Sequence, residues 1–310
     1  MQVLVTGGAG FIGSHLAAAL VARGDSVRVL DNFRTGKREN LADLAVELVE
    51  GDIGDEAVVQ AAVADCDLIF HLAAMVSVPE SVKTPKLNHH INVTGTFNVF
   101  EAARIAGVKR VVYSSSSAVY GDLPHLPARE GYVPHPISPY GAAKLMNEII
   151  AESYRTSFGL DALGLRYMNV FGPRQDPSSP YSGVLSIFCR AAINGTGVTI
   201  YGDGQQTRDF VFVEDVVQAN LLAAQLPSKQ IPDQPVFNVG RGQSTAINDI
   251  VEMLGELTHQ AIPITYAPER LGDIKHSVAD ISQAQTILSY YPQVTVLDGL
   301  KATLDWFHLE

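Results

Sequence analysis

The first thirteen residues restrict the fold more than any other stretch. Gln2 to Thr6 is a short apolar run of strand composition, and Gly7-Gly8-Ala9-Gly10-Phe11-Ile12-Gly13 follows it at once. The pattern beyond predicts a helix through about Ala22. Strand, glycine loop and helix in this order are what a dinucleotide site requires: glycines permit the tight turn and the close approach of a pyrophosphate, whose charge faces the helix N-terminus. Ser26 to Leu30 predicts a second strand ending in Asp31, eighteen residues beyond Gly13. A carboxylate there accepts hydrogen bonds from the adenosine ribose and repels a 2′-phosphate, which favours NAD over NADP; Arg34, Lys37 and Arg38 nearby work against that preference.

The alternation of strand and helix continues. Val46 to Val49 predicts a third strand ending at Gly51-Asp52, where the carboxylate either meets the adenine or caps a helix. Leu68 to Leu72 predicts a fourth, followed by small residues over which a cofactor can pass. Thr84-Pro85 opens a long helix reaching Ala106 and ended by Gly107. A sixth strand is expected over Ala162 to Met168. The expected fold class is α/β, a doubly wound parallel sheet with a smaller, mixed C-terminal substrate domain. The cofactor domain is expected over 1–174, with return segments about 208–240, and the substrate domain over 175–310. Expected cofactor contacts are Gly7, Gly10, Phe11, Ile12 and Gly13, then Asp31 and Asn32, Asp52 and Ile53, and Leu72, Ala73 and Ala74.

Between the fourth and sixth strands lies the stretch that carries chemistry. Lys109 to Tyr113 has the composition of a buried strand, which places Ser114 to Ser117 at its C-terminal end, where open parallel sheets expose ligand sites. Ser138-Pro139 is a helix start, so Tyr140 and Lys144 sit at i and i+4 on one face of a helix running to about Phe158. A lysine cation beside a tyrosine hydroxyl pulls its pKa toward operating pH and makes Tyr140 a usable general base with a serine as proton partner. Five prolines between Leu123 and Pro139 predict a fixed loop over the sheet edge. After Asn169 the pattern breaks into shorter pieces: a helix over Val184 to Ile193, strands at Val198 to Tyr201 and Asp209 to Val213 about a Gly-Asp-Gly turn, and helices near Asn248 to Leu257 and Ser282 to Ser289.

Composition excludes some functions. A formal net charge of -11 argues against sequence-independent nucleic-acid binding, and it means that an anionic substrate must be met by local arginines. Cys66 and Cys189 lack metal-ligand or disulfide spacing, so free thiols, no metal and a reducing compartment are expected. Without a basic leader before the first strand, and without a run of 18 apolar residues, a cytoplasmic protein is expected.

These motifs together resemble the extended short-chain dehydrogenase/reductases, and within them the nucleotide-sugar 4-epimerases. The resemblance covers nearly the whole chain and rests on Gly7 to Gly13, Asp31, Ser116 with Tyr140 and Lys144, Arg166 to Arg174, Gly204 to Phe210, and Pro268-Glu269-Arg270-Leu271-Gly272-Asp273. It implies a catalytic set of Ser116, Tyr140 and Lys144. It also implies cofactor contacts from Tyr140, Lys144 and Tyr167, and a sugar nucleotide held by Ser77, Ser116, Asn169, Arg208, Arg270 and Asp273. The implied reaction is NAD-dependent 4-epimerisation of a UDP-sugar through a transient 4-keto sugar. Related 4,6-dehydratases carry Asp-Glu after the catalytic Thr; here Ser117 and Ala118 stand there, which disfavours dehydration. The position four beyond Gly272-Asp273, which in the epimerases gates the sugar C2 side, is Ser277, small enough to admit an N-acetyl group. UDP-N-acetylglucosamine and UDP-glucose are both expected substrates. Alternatives are a UDP-glucuronate 4-epimerase or decarboxylase, and an NAD-binding regulatory protein of the same fold, which would carry a broken Ser, Tyr, Lys set. The resemblance further implies a homodimer, paired through the helices Thr84 to Ala106 and Tyr140 to Phe158.

Overall fold

The structure is a computed structural model that describes residues 1–177, 183–269 and 274–309. Its first half runs β1 (Gln2–Thr6), α1 (Phe11–Ala22), β2 (Ser26–Asp31), β3 (Val46–Glu50), α2 (Glu56–Val63), β4 (Leu68–His71), α3 (Val78–Lys83), α4 (Pro85–His89), α5 (Gly95–Ala106), β5 (Arg110–Ser116), α6 (Pro139–Phe158) and β6 (Asp161–Tyr167). There follow β7 (Asn169–Phe171), α7 (Val184–Ile193), β8 (Val198–Tyr201), β9 (Thr207–Arg208), β10 (Phe210–Phe212), α8 (Val213–Gln225), β11 (Val236–Val239), β12 (Thr245–Ala246), α9 (Ile247–Thr258), β13 (Ile264–Ala267) and α10 (Val296–Leu309).

Seven strands form one parallel sheet in the order β3-β2-β1-β4-β5-β6-β11. This is the doubly wound fold expected from the alternation of elements. The order reverses between β1 and β4, so the crevice outside their carboxyl ends is the place for a ligand. Both faces are covered, and strand alternation divides the core accordingly. Val3 and Val5 pack with Leu16 and Leu20 of α1 and Val216 of α8, whereas Leu4 packs with Val59 of α2 and Phe100 of α5. Removing such fully buried side chains from water stabilises the fold by about 1.5–3 kcal/mol each. The expected helix from Pro85 to Ala106 is present, with a single π turn over His90–Thr94, and Gly107 ends it at φ 71°.

A third apolar cluster joins α7, α9 and α10 around Phe188, Leu254 and Leu304. The strands on either side of the Gly-Asp-Gly turn do not pair with each other: β8 pairs with β13, and β10 pairs with β7, both in parallel. The proline-rich loop is clamped to this part of the molecule, since Ala128 exchanges backbone hydrogen bonds with Val278 and Asp280, both at 2.8 Å. Among the described residues no helix is long and apolar enough to cross a membrane. Cys66 and Cys189 are buried free thiols.

Candidate functional site

One cleft, of about 760 Å³, opens at the carboxyl ends of β1, β2, β4, β5 and β6. Its floor is the loop from Gly7 to Gly13. Gly7 adopts φ 70°, and a Cβ on Gly13 would lie 2.1 Å from the Gly7 carbonyl oxygen, so only glycine permits this turn. Gly10 caps α1 without a side chain, and no acidic residue occupies the first turn. The N–H groups of that turn are therefore available to an anion. Gly7, Gly10, Phe11, Ile12 and Gly13 all line the cleft.

Asp31 lines it at the end of β2, and its carboxylate accepts from Ala9 N at 2.9 Å and Phe33 N at 2.8 Å. Burial pushes its pKa up and these two amides hold it down. The same carboxylate therefore buttresses the glycine loop, a second task that the spacing does not disclose. The three cations that follow β2 and suit a 2′-phosphate are each met by a carboxylate: Arg34 by Glu80, Lys37 by Asp176 at 4.0 Å, and Arg38 by Glu50. Asn32, Asp52 and Ile53 also line the cleft. Asp52 accepts from Gly54 N and Asn32 Nδ2, both at 2.7 Å, while Asp55, not Asp52, caps α2.

Leu72, Ala73 and Ala74 line the cleft on a segment pinned by a buried relay. Ala73 N donates to Thr6 Oγ1 at 3.2 Å, and Thr6 Oγ1 lies 2.8 Å from His71 Nδ1. His71 Nε2 lies 2.9 Å from Thr96 Oγ1, which donates to Asn92 O at 2.7 Å. The only consistent direction makes Thr6 the donor to Nδ1 and puts the imidazole proton on Nε2. Burial, assisted by the Lys144 cation, lowers His71 to about 3, so it stays neutral and structural. Asn92 closes the other end, exchanging hydrogen bonds with Met75 N and O at 2.8 and 2.9 Å.

At the far end of the cleft the serine strand meets α6. β5 runs on through Ser116, because Ser114, Ser115 and Ser116 pair with Leu165, Arg166 and Tyr167 of β6. Ser138 caps α6 through Gly141 N at 3.1 Å, and a Cβ on Gly141 would lie 2.5 Å from Ala118 O, so glycine lets the helix approach the serine strand. Tyr140 and Ser116 both line this end of the cleft, and Ser116 Oγ accepts from Ala118 N at 3.2 Å. Lys144 Nζ donates to Ser114 O at 2.8 Å and Ser114 Oγ at 3.0 Å, and lies 5.9 Å from the Tyr140 ring centroid. In the ligand-free protein burial raises the Tyr140 pKa, and the Ser116 side chain lowers it. Lys144 itself is pulled down to about 7 by burial, against the pull of Glu148.

Tyr167 lines the same end, with its hydroxyl donating to Asn220 at 3.0 Å. Ser77 lines the cleft as well and caps α3 by accepting from Glu80 N at 3.0 Å. Asn169, Arg208 and Ser277 lie outside the cleft lining but close together in the fold. Asn169 N donates to Asp209 O at 2.9 Å, Arg208 Nη1 donates to Lys275 O at 3.2 Å, and Ser277 N donates to Thr207 O at 3.1 Å. Arg270 and Asp273 lie outside the described residues.

Three polar groups were given no role by the sequence reading. Glu148 receives Arg166 in a buried fork, at 2.9 and 2.7 Å, behind Ser115. Asp209, wholly buried, accepts from the backbone of Arg241, Gly242 and Ala279. Arg174 lines the cleft on the loop after β7. Glu148 left a sequence signal as a carboxylate four residues after Lys144 on one helix, and Arg174 and Asp209 lie within the motifs Arg166 to Arg174 and Gly204 to Phe210.

A doubly wound sheet with a glycine loop at its switch point and serine, tyrosine and lysine at the same edge defines a dinucleotide-binding protein of the extended short-chain dehydrogenase/reductase type. Residues 3–240 match the NAD dependent epimerase/dehydratase family, and the chain belongs to it. Among solved structures it is similar to a UDP-glucose 4-epimerase with UDP-glucose from Thermotoga maritima, at 40% identity over 100% of both chains, with a TM-score of 0.95. It is also similar to a UDP-N-acetylglucosamine 4-epimerase from Methanobrevibacter ruminantium in complex with UDP-N-acetylmuramic acid, at 40% identity, covering 99% of this chain and 98% of that one, TM-score 0.93. A third, a UDP-glucose 4-epimerase from Thermus thermophilus complexed with NAD, shares 38% identity over 99% of both chains, TM-score 0.92.

Proposed function

We propose that the protein is a UDP-hexose 4-epimerase that acts on UDP-N-acetylglucosamine and UDP-N-acetylgalactosamine and on UDP-glucose and UDP-galactose. The observation that carries this reading is the convergence of Ser116, Tyr140 and Lys144 on the cleft that also contains the glycine loop. When bound, NAD would supply the hydride acceptor for C4. Tyr140 takes the proton of the sugar 4-hydroxyl and later returns it, while Ser116 hydrogen-bonds the same oxygen. Lys144, anchored on Ser114, holds its ammonium near the phenol and toward the nicotinamide ribose. In the ligand-free protein burial keeps Tyr140 a phenol, so its activation belongs to the loaded state.

We take residues 1–174, with the return segments of about 208–240, as the cofactor domain and 175–310 as the substrate domain, the sugar nucleotide lying between them and contacted from both. Asn169, Arg208, Arg270, Asp273 and Ser277 are assigned to the sugar nucleotide, the arginines to its diphosphate. The grouping of Asn169, Arg208 and Ser277 around one small region of chain supports this. We place the enzyme in the cytoplasm, where buried free thiols such as Cys66 and Cys189 persist. A homodimer is supported by apolar side chains left exposed on adjacent helices: Phe97 and Ile105 on α5, and Met146, Ile149 and Phe158 on α6.

The test is to incubate the purified protein, without added NAD, with UDP-N-acetylglucosamine, UDP-glucose and UDP-glucuronate in turn, and to separate the products by chromatography. Conversion of the first two is expected. Conversion of UDP-glucose alone would close the gate assigned to Ser277, and conversion of UDP-glucuronate alone would replace this reading with the uronate one.

A further inference from the structure

Three cations of the cleft lining have no task in the proposed function, and two of them, Arg34 and Lys37, are met by carboxylates; the third is Arg174. Its Nη1 is buried with no hydrogen-bond partner among the described residues. The neighbouring Gln175 Oε1 is in the same state. A guanidinium nitrogen that has lost water and gained no acceptor is a rare cost in a native fold, and calls for an explanation. Burial accordingly moves Arg174 below the ordinary arginine range. The backbone adds to that cost, since Arg174 sits at φ 66°, a left-handed conformation that non-glycine residues seldom adopt and that collects at ligand clamps.

The loop is held in this state from outside. His15 Nε2 donates to Pro173 O at 2.9 Å, and burial keeps His15 neutral. His15 lies one turn into α1, edge-on to Phe11 at 6.1 Å. On the other side, Gln175 Nε2 donates to Val170 O at 3.2 Å. Arg174 is thus tied to the first turn of the helix whose uncapped N-terminus closes the glycine loop.

We propose that Arg174 binds the diphosphate of the dinucleotide, adding a fork of charged donors to the neutral amides of the glycine loop. The inference rests on the assignment of this cleft to NAD. The cleft's own layout supports it: Asp31 marks the ribose end, Ser116 and Tyr140 mark the reacting end, and a diphosphate has to lie between them. Planar guanidinium donors suit two adjacent phosphate groups, and a protein of net charge -11 must supply such a cation locally.

The test uses Arg174→Met, Arg174→Lys and Arg174→Gly, with NAD and UDP affinities measured by calorimetry on dinucleotide-stripped protein. Arg174→Met is expected to bind NAD about 10- to 100-fold more weakly, the range for losing a charged hydrogen bond, with UDP affinity within twofold of the parent. Arg174→Lys should fall between the two. Arg174→Gly removes the guanidinium but suits the left-handed backbone, so it should lose NAD affinity as Met does while the ligand-free protein melts no lower than the parent. Unchanged NAD affinity in the Met and Gly variants would overturn the inference. So would a loss of UDP affinity instead, which would assign Arg174 to the nucleotide sugar. A Gly variant that melts below the parent would overturn it in favour of a structural role. If the parent protein itself fails to bind NAD, the assignment of the cleft fails first.

Discussion

Glu148→Gln should destabilise the protein sharply, by a route that runs behind the active site. The Glu148 carboxylate and the Arg166 guanidinium are 8% and 4% exposed and joined by two hydrogen bonds, and Ser115 Oγ donates to the same carboxylate at 2.5 Å. Replacing the carboxylate leaves Arg166 charged, with the face of Tyr120 at 4.7 Å and the Glu130 carbonyl at 3.3 Å as its remaining company. Breaking a buried pair from one side costs about 3–5 kcal/mol. At roughly 2.1 cal/mol/K per residue, the unfolding entropy of 310 residues is about 0.65 kcal/mol/K, so Tm should fall by about 5–8 °C. Scanning calorimetry measures this directly. Glu148→Gln/Arg166→Met should recover most of the loss, because it removes the unpaired buried cation and leaves a neutral amide that can still accept from Ser115. A single variant within about 1 °C of the parent, or a double variant no better than the single, would refute the reasoning.

Tyr140→Phe should lower turnover by about 10²- to 10⁴-fold, the usual contribution of a positioned acid or base, while NAD stays bound; an active variant would remove Tyr140 from the mechanism. Lys144→Met should abolish turnover without loss of stability at pH 6. Burial lowers the folded pKa of Lys144 to about 7, so the native state binds fewer protons than the unfolded chain between about pH 7 and 10.5. Stability gains from that difference as pH rises through the window, and below it the buried ammonium carries its full cost; a denaturant midpoint at pH 6 well below the parent's would contradict this. Asp209 behaves in the opposite sense, its folded pKa raised by burial from 3.8 to about 6. Its contribution is present below about pH 4 and lost as pH rises through 6. The difference in unfolding free energy between the parent and Asp209→Asn should therefore shrink by about 2 kcal/mol from pH 4 to 6.5. A flat difference would show that Asp209 is solvated.

The parts of this molecule that were legible in its sequence are those where local chemistry leaves no choice. The turn from Gly7 to Gly13 needs residues without Cβ, and Ser138-Pro139 starts a helix whatever surrounds it. Where tertiary pairing decides, the sequence was silent or misleading. β5 was expected to end at Tyr113, but Ser114 to Ser116 continue the strand because β6 offers them partners that serine's own propensity would not attract. The same pairing brings the Ser114 carbonyl to Lys144, so the lysine is bonded there, and an i,i+4 spacing cannot reveal that preference. The start of α10 has a local signature, Thr295 Oγ1 donating to Asp298 Oδ2 at 2.5 Å and accepting from Asp298 N at 3.1 Å. The relay through Thr6, His71 and Thr96 links residues up to 65 positions apart and left no local trace.

The central claim is that hydride leaves C4 and returns to it inside one cleft, with Tyr140 moving only the hydroxyl proton. UDP-glucose carrying deuterium at C4, incubated with the protein in ordinary water and followed by mass spectrometry and NMR, tests this most directly. The account predicts UDP-galactose that retains the deuterium at C4. Product with hydrogen from solvent at C4 would contradict it, because the carbon would then have exchanged a proton rather than a sequestered hydride.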